Sequence, residues 1–245
     1  MTPTRDVAPK GSRYRVMFDA LLTKLAEDPQ LPHDKLTPFL PLVGDRYTGE
    51  LMVIGRAVNG WLDEWSPGEL RDPGRRDGTI QISADYSMDW VVQKAGDKKY
   101  NTNRSAFWRV VKRVALDLGA VASSDVAWSS HIAWSNLYKI APTAGGNPSA
   151  ELRCLQFSQC VSLLALEVEQ LRPRHVLCLT GIDWFEPFAV PLGLNRLAPC
   201  RPGFRFVDGM YLAGLQKWVV AQHPQGKPEN EVVAEVVTAF GRQEI

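Results

Sequence analysis

Apolar residues are concentrated in four short runs that predict the strands of a central sheet. The runs span residues 51–57, 131–135, 175–181 and 216–222. Each is short and is bounded by glycine, proline or polar residues, which is typical of buried strands. Elsewhere apolar residues recur every three or four positions, which predicts helices over residues 16–26, 107–118, 152–171 and 229–240. Alternating strands and helices predict an α/β fold, a three-layer αβα domain with a central, mostly parallel four-stranded sheet.

The remaining segments carry turn and loop signals. Residues 58–104 are rich in Gly, Pro, Asp and Trp and are interpreted as a long loop with one helical turn over Met88–Gln93. Residues 203–214 predict a hairpin around Asp208 and Gly209. The first 48 residues hold a helix and a proline-broken stretch. We therefore expect a helical leader over residues 1–48 that packs on a domain over residues 49–245.

Composition narrows the class of protein. The chain has 245 residues, of which 45% are hydrophobic and 22% are charged, which indicates a globular protein rather than a disordered or fibrous one. There is no C-x-x-C pair among the four cysteines, so we expect neither a metal site nor a cofactor. No apolar run reaches the length of a membrane span, and the N-terminus lacks a secretory pattern. We expect a cytoplasmic monomer that does not bind membranes.

The net charge of +1 gives no overall attraction to nucleic acid, but one segment is strongly basic. Residues 94–113 contain seven Lys or Arg against the single acid Asp97, a local net charge of +6. Arg109, Lys112 and Arg113 are spaced to share one face of the predicted helix. They are candidate phosphate contacts for DNA, and an ordinary solvated helix face is the alternative interpretation.

Two polar residues lie where an α/β sheet binds ligands, which is beyond the carboxyl ends of its strands. Asn136 follows the second predicted strand, and its carboxamide could pair with a carbonyl beside an N–H, as on a pyrimidine edge. His223 follows the fourth strand and could donate to an oxygen on which negative charge develops. The alternatives are that Asn136 caps its own loop and that His223 is a satisfied turn residue.

The order of these strand ends resembles the uracil-DNA glycosylase superfamily. The relevant segments are VIGRAVNGW at 53–61, WSNLYKIAP at 134–142, LRPRHVLCLTG at 171–181 and VVAQHPQGK at 219–227. They are similar to that family's glycine-containing first motif, its strand ending in Asn, its Lys-Pro-containing strand lead-in and its final His-Pro motif. The resemblance covers about residues 50–240 and implies a base-flipping enzyme that hydrolyses the N-glycosidic bond of uracil or a related damaged base in DNA.

The resemblance also implies roles for individual residues. Asn136 would recognise the base edge, and His223 would stabilise the charge that builds on the base oxygen. The first motif would line the base pocket through Gly55, Arg56, Ala57 and Val58, with Trp61 as a stacking ring and Tyr86 and Phe107 as further candidates. The loop after His223 would approach the DNA backbone through Gln225, Gly226 and Lys227.

The chain also departs from the pattern of that superfamily. The family's first motif usually carries an acidic or amide residue that positions the attacking water, and Arg56, Ala57 and Val58 stand there instead. Asn59 comes two positions late and is the remaining candidate for this catalytic role; Asp63, Glu64 and Asp85 are nearby carboxylates. Gln225 replaces the small residue usual after His-Pro. Ile140 stands where the iron-sulfur branch has cysteine, so no cluster is expected.

Three hypotheses follow. The first is a glycosylase-like enzyme, and the second is a catalytically inactive relative that binds a base, a nucleotide or a protein partner. The missing carboxylate favours the second. The third, an unrelated doubly wound nucleotide-binding domain, has little support because the chain contains no G-x-G-x-x-G or Walker sequence.

Overall fold

The computed structural model describes residues 11–28, 35–61, 63–197 and 203–241 as an α/β protein. The chain divides into two compact units that interleave along the sequence. The first unit takes its described residues from Met1–Leu42, Arg56–Tyr86 and Ser135–Leu171, and the second from Val43–Gly55, Ser87–Trp134 and Arg172–Ile245. Residues 1–10 and 29–34 of the predicted leader, and Cys200, lie outside the described residues. The boundary expected at residue 48 stays a prediction.

The first unit is mainly helical. Its helices and strands are α1 (Ser12–Glu27), β1 (Leu36–Pro38), α2 (Pro73–Ala84), β5 (Ile140–Pro142) and α5 (Ala150–Leu171). Strands β1 and β5 pair in antiparallel orientation, with Leu36 opposite Pro142. Helix α1 packs on α2 and α5 and buries its apolar face, which includes Phe18 and Leu22, in one hydrophobic core. The leader helix is thus a packed element of this unit.

The second unit is built on a seven-stranded mixed sheet in the order β2-β4-β3-β6-β9-β8-β7. The strands are β2 (Leu42–Val43), β3 (Leu51–Gly55), β4 (Ile132–Asn136), β6 (His175–Cys178), β7 (Asn195–Arg196), β8 (Val207–Ala213) and β9 (Gln216–Ala221). Strand β6 pairs in parallel with both β3 and β9, whereas β8 pairs in antiparallel orientation with β9 and β7. Leu42 of β2, and Ser135 and Asn136 of β4, are assigned to the first unit.

Helices of the second unit complete its core. They are α3 (Asp89–Gln93), α4 (Ala106–Asp117), α6 (Ile182–Ala189) and α7 (Glu229–Gly241). Helix α7 packs on α4 and on strands β8 and β9. Helix α4 begins after Ser105, and Gly119 follows its end with a φ of +71°, a conformation that favours glycine after a helix. No helix within the described ranges is long and apolar enough to span a membrane.

The predicted sheet was right in class and incomplete in detail. The α/β class and the four strands are confirmed, but within the described residues the sheet has seven strands rather than four and is mixed. The expected hairpin around Asp208 and Gly209 is wrong, because Val207–Ala213 is one strand whose register shifts between Val207 and Gly209. The chain turns later, at Gly214, where φ is +59°. Gly209 therefore marks a β-bulge rather than a turn.

The expected loop over residues 58–104 is also corrected. It contains helix α2, which begins after Asp72, whose carboxylate accepts the backbone N–H of Gly74 at 2.9 Å. An N-cap Asp followed by Pro73 at the first helical position is a recognised start signal. Gly74 and Gly78 interrupt the regular spacing of apolar residues in this helix. The sequence pattern therefore does not indicate a helix here. The single turn expected near residue 88 is confirmed as α3.

Candidate functional site

The first motif leaves the buried strand β3 at Gly55 and enters the first unit at Arg56. The carbonyl oxygen of Arg56 accepts the backbone N–H of Tyr138 at 3.0 Å. This bond ties the first motif to the segment that follows Asn136. Val58 is buried and Ala57 is half-buried. The backbone of the first motif and the segment after Asn136 are therefore neighbours, and the expected role of the first motif in lining a base pocket stays a prediction.

Asn59, the late polar residue of the first motif, holds a neighbouring loop. Its Oδ1 accepts the backbone N–H of Gly146 at 2.7 Å. A Cβ on Gly145 would lie only 2.8 Å from this oxygen, and φ of Gly145 is +95°, so the loop approaches closely because a glycine stands there. One acceptor site of the Asn59 oxygen is thus used structurally, and its expected role in positioning water stays a prediction.

The carboxylates near the first motif all have partners. Asp63 is 11% exposed and accepts two bonds from the Arg75 guanidinium, at 2.8 and 3.0 Å, and one from Thr79 Oγ1 at 2.8 Å. Glu64 pairs with Lys35 at 2.6 Å, and Asp85 accepts from Gln81 Nε2 at 2.8 Å. Bidentate binding by arginine fixes Asp63 as an internal anchor. These contacts supply no replacement for the missing first-motif carboxylate.

Asn136 lies at the carboxyl end of β4 with 1% of its surface exposed. Its Nδ2 is buried and has no hydrogen-bond partner within the described residues. A buried amide nitrogen without a partner is costly, because it has lost its water and gained nothing in exchange. Nδ2 does not cap the loop that follows Asn136, because it forms no hydrogen bond within the described residues. This buried donor lies at the carboxyl end of a strand, which is where ligands bind in α/β sheets.

A fully buried ion pair fixes the backbone at Asn136. Lys139 Nζ lies 2.7 Å from Glu167 Oε1 and donates to the Asn136 carbonyl at 2.9 Å. Ser135 Oγ accepts from Lys139 Nζ at 2.7 Å and donates to Glu167 Oε2 at 2.6 Å, while Tyr14 donates to Glu167 Oε1 at 2.8 Å. Burial, and then the Glu167 charge, raise the pKa of Tyr14 well above its usual value, so this hydroxyl remains a donor.

Gln156 supports the same segment from helix α5. Its Oε1 accepts the backbone N–H groups of Lys139 and Ile140, at 3.1 and 2.9 Å, and its Nε2 donates to the Ile140 carbonyl at 2.9 Å. The sequence prediction missed Lys139, Gln156 and Glu167. The signal was present for Glu167, because it interrupts the apolar stripe of α5 between Leu164 and Leu171. A charged residue at a core position requires a buried partner.

His223 follows β9 in the second unit and is held in one orientation. Its Nδ1 accepts the backbone N–H of Gln225 at 3.3 Å, and its ring stacks on Phe107 with centroids 6.2 Å apart. A backbone N–H can only donate, so Nδ1 is the acceptor in this contact, and a neutral ring that accepts there carries its proton on Nε2. A ring in this form could donate from Nε2, and the expected role of His223 stays a prediction.

The candidate DNA contacts near His223 belong to an exposed turn. Gln225 and Gly226 are exposed, Gly226 has a φ of +75°, and the Lys227 N–H donates to the Pro224 carbonyl at 3.0 Å. The φ value explains why glycine stands at 226. The two ends of the proposed site, Asn136 and His223, belong to different units, and their convergence in one cleft stays a prediction.

Two of the three basic residues on α4 have internal partners. Arg109 forms a bidentate pair with Glu229 at the start of α7, with contacts of 2.5 and 3.0 Å, and Arg113 donates to Asn230 Oδ1 at 2.6 Å. Arg109 lowers the pKa of Glu229 by hydrogen bonding. Lys112 is exposed and makes no ion pair among the described residues. Arg109 and Arg113 therefore have partners within the protein, and the expected role of all three residues as DNA phosphate contacts stays a prediction.

A cavity of about 120 Å³ opens beside α4 in the second unit. Its lining includes Thr102, Asn103, Trp108, Arg109, Lys112 and Trp128. Two of the predicted phosphate contacts thus lie at one cavity that also offers aromatic surface.

Among the residues that the structure describes, no group of three or more His, Cys, Asp or Glu side chains is arranged to hold a metal ion. The expectation that the protein uses neither a metal nor a cofactor stays a prediction.

Aromatic rings link His223 to a distant surface loop of the same unit. Phe107 lies 6.4 Å from Trp134, Trp134 stacks on Trp90 at 6.1 Å, and Trp90 stacks on Tyr100 at 5.6 Å. The other two candidate stacking rings belong to the first unit. There Trp61 packs between Phe39, at 5.5 Å, and Tyr86, at 6.2 Å. Aromatic surface is available in both units.

No protein-family model matches this sequence, and no curated protein is significantly similar to it. The resemblance to the glycosylase superfamily therefore rests on the four strand-end motifs. The structure adds to those motifs the buried amide nitrogen of Asn136, which has no hydrogen-bond partner within the described residues, and the bond from the Gln225 N–H to His223 Nδ1.

Proposed function

We propose that this protein is a base-flipping N-glycosylase of the uracil-DNA glycosylase type, acting on uracil or a related damaged base in DNA. The observation that carries the proposal is the buried Nδ2 of Asn136, which has no partner within the described residues and is attached to a backbone held by a buried ion pair. A base carbonyl would satisfy this donor. A rigidly held amide group is well suited to distinguish one base edge from another.

The proposed chemistry divides between recognition and charge stabilisation. Asn136 binds the edge of the flipped base, and Nε2–H of His223 donates to the base oxygen on which negative charge develops. The bond between C1′ of the sugar and the base nitrogen breaks, and its electron pair leaves with the base. Water then adds to C1′ and releases a proton. With no first-motif carboxylate, a backbone carbonyl or Asn59 would hold that water.

The fold is compatible with this proposal. Strands β4, β3, β6 and β9 are adjacent in the sheet, and the pairs β3–β6 and β6–β9 are parallel. We propose that these four strands are the parallel core of a three-layer glycosylase-like domain, to which β2, β8 and β7 are edge additions. Asn136 ends β4 and His223 follows β9, and these are the two outer strands of that proposed core.

One observation favours the second candidate function, a relative that binds a base without cleaving it. Ala57 supplies no polar group, and Asp63 is already occupied by Arg75 and Thr79. Loss of a single electrostatic contribution typically lowers a rate by a factor of about 100 to 1,000, which still leaves measurable catalysis over water. Slow excision is therefore the expected outcome for the enzyme, and base-specific binding without excision would identify the binding protein.

The deciding experiment measures excision of uracil from single- and double-stranded oligonucleotides, with alkaline cleavage of the abasic product. We expect slow product formation by the parent protein and a loss of about 100-fold or more in His223→Ala. The matched control is His175→Gln, which changes a histidine at the opposite end of the parallel strands and should retain activity. A His223→Ala protein as active as the parent would refute the enzyme proposal.

A further inference from the structure

The loop between α3 and α4 presents an aromatic ring at the surface. Tyr100 is 42% exposed, and its ring stacks on Trp90 with an interplanar angle of 28°. Among the described residues this is its only aromatic contact. An exposed ring that is backed by a second ring offers a flat apolar surface to a planar ligand.

The loop backbone is ordered by two short side chains. Asp97 Oδ1 accepts the N–H groups of Lys99 and Tyr100 at 2.8 and 3.0 Å, and Asn101 Oδ1 accepts those of Gly96 and Asn103 at 3.0 Å each. The Tyr100 N–H and the Lys94 ammonium lower the pKa of Asp97 to about 2, so this acceptor remains charged at neutral pH. The Tyr100 ring is therefore held in place before any ligand binds.

Unpaired cations surround this ring in the sequence. Lys98, Lys99 and Arg104 are exposed, and within the described residues their side chains form no ion pair or hydrogen bond. The only acid of the loop, Asp97, pairs with Lys94 at 3.0 Å. The loop thus combines a stacking surface with positive charge that no neighbouring carboxylate neutralises.

We propose that residues 98–104 form a single-stranded DNA platform, on which one base stacks on Tyr100 while phosphates lie against Lys98, Lys99 and Arg104. The inference rests on the proposed function, in which the substrate is DNA. A single strand exposes the π-faces of its bases together with its phosphates, whereas a duplex hides those faces by stacking. An acidic peptide would satisfy the cations and leave the ring unused.

The location of the platform fits a role in guiding the strand. Tyr100 belongs to the same unit as His223, and four successive ring contacts, through Trp90, Trp134 and Phe107, join the two. A strand held on Tyr100 is therefore bound to the unit that carries the candidate catalytic histidine. The platform residues are different from the proposed base-binding residues, so the two sets can be varied independently.

The test is fluorescence anisotropy of the full chain with a labelled oligothymidylate of about 16 nucleotides. We expect Tyr100→Ala to weaken binding by about 5- to 100-fold and Tyr100→Phe to retain it within about twofold, because stacking needs the ring and not the hydroxyl. A triple Lys98→Gln, Lys99→Gln, Arg104→Gln variant should reduce the slope of log affinity against log salt by up to about 2. Controls are Arg172→Gln, an exposed cation, and Leu215→Ala, an exposed apolar residue.

The outcomes separate this inference from the proposed function. Unchanged binding by Tyr100→Ala would overturn the platform, even if the triple variant binds more weakly, because the surface would then act through charge alone. Equal loss with a duplex of the same length would also overturn the specificity for single strands. Platform binding without uracil excision would leave the platform standing and remove the enzyme proposal. If the parent protein excises uracil and the Tyr100→Ala variant binds the oligonucleotide normally, the enzyme proposal stands and the platform is overturned.

Discussion

Lys139 Nζ lies 2.7 Å from Glu167 Oε1, and neither side chain has any exposed surface. The carboxylate also accepts from Tyr14 and Ser135, and the ammonium also donates to the Asn136 carbonyl. Buried charges are tolerated when each has such additional hydrogen bonds. Because one of these bonds ends on Asn136 itself, the pair connects the stability of the first unit to the geometry of the candidate recognition residue.

Removing one member of this pair should be strongly destabilising. We expect Lys139→Met to lower the free energy of unfolding by about 3–5 kcal/mol, since Glu167 would remain buried without its counter-charge. Urea denaturation of the purified variant would measure the change. The double variant Lys139→Met, Glu167→Leu should be less destabilised than Lys139→Met alone, because no charge is then left buried.

The surface pair Lys35–Glu64 is the matched control for that prediction. Its nitrogen and oxygen are 2.6 Å apart, but the side chains are 59% and 49% exposed. Lys35→Met should therefore cost less than about 1 kcal/mol. Equal effects of Lys35→Met and Lys139→Met would contradict the importance of burial.

Variants of Asn136 should separate recognition from stability. Asn136→Ala should reduce uracil excision by about 100-fold or more, because the donor to the base is lost. Its effect on urea denaturation should be small, since the Nδ2 it removes has no partner within the described residues. Asn136→Asp should shift preference from uracil toward cytosine, whose exocyclic amine donates to a carboxylate. Comparing oligonucleotides with each base measures this shift, and an unchanged preference would argue against base reading by Asn136.

Two glycines should respond in opposite directions to alanine. A Cβ on Gly44 would lie 2.0 Å from the backbone oxygen of Ser130, so Gly44→Ala should destabilise by more than about 2 kcal/mol. Gly78 lies inside α2 with nothing within 4 Å of its added Cβ, so Gly78→Ala should stabilise by about 0.5–1 kcal/mol. Thermal or urea denaturation of both variants tests the pair, and a stabilising Gly44→Ala would contradict the close approach.

Stability should decrease on mild acidification in part because of His175. Burial lowers its pKa, the positive charge of Arg174 lowers it further, and Glu50 opposes this shift. An unfolded histidine titrates near pH 6.5, so below that pH the unfolded state binds more protons than the folded state. The free energy of unfolding therefore falls as pH decreases from about 7 through the lowered folded pKa. The urea midpoint should fall less between about pH 7 and 5 in His175→Gln than in the parent; parallel profiles would contradict this assignment.

The sequence determined the features that depend on local periodicity. Apolar runs located strands β3, β4, β6 and β9, and the three-to-four spacing located α1, α4, α5 and α7. Asn136 and His223 were found because they follow such runs. These signals are local, since whether a residue faces the core depends on the repeat of its own helix or strand.

The tertiary structure alone decided which distant groups are partners. Glu167 lies 28 residues after Lys139, and Glu229 lies 120 residues after Arg109, so neither pairing has a local signature. Arg109 and Arg113 of α4 find their partners, Glu229 and Asn230, on a neighbouring helix. Similarly, the sequence around Gly209 is typical of a turn. Only the pairing of β8 with β9 shows that Gly209 lies at a β-bulge. Charge compensation and strand register are set by packing between elements, which no local repeat encodes.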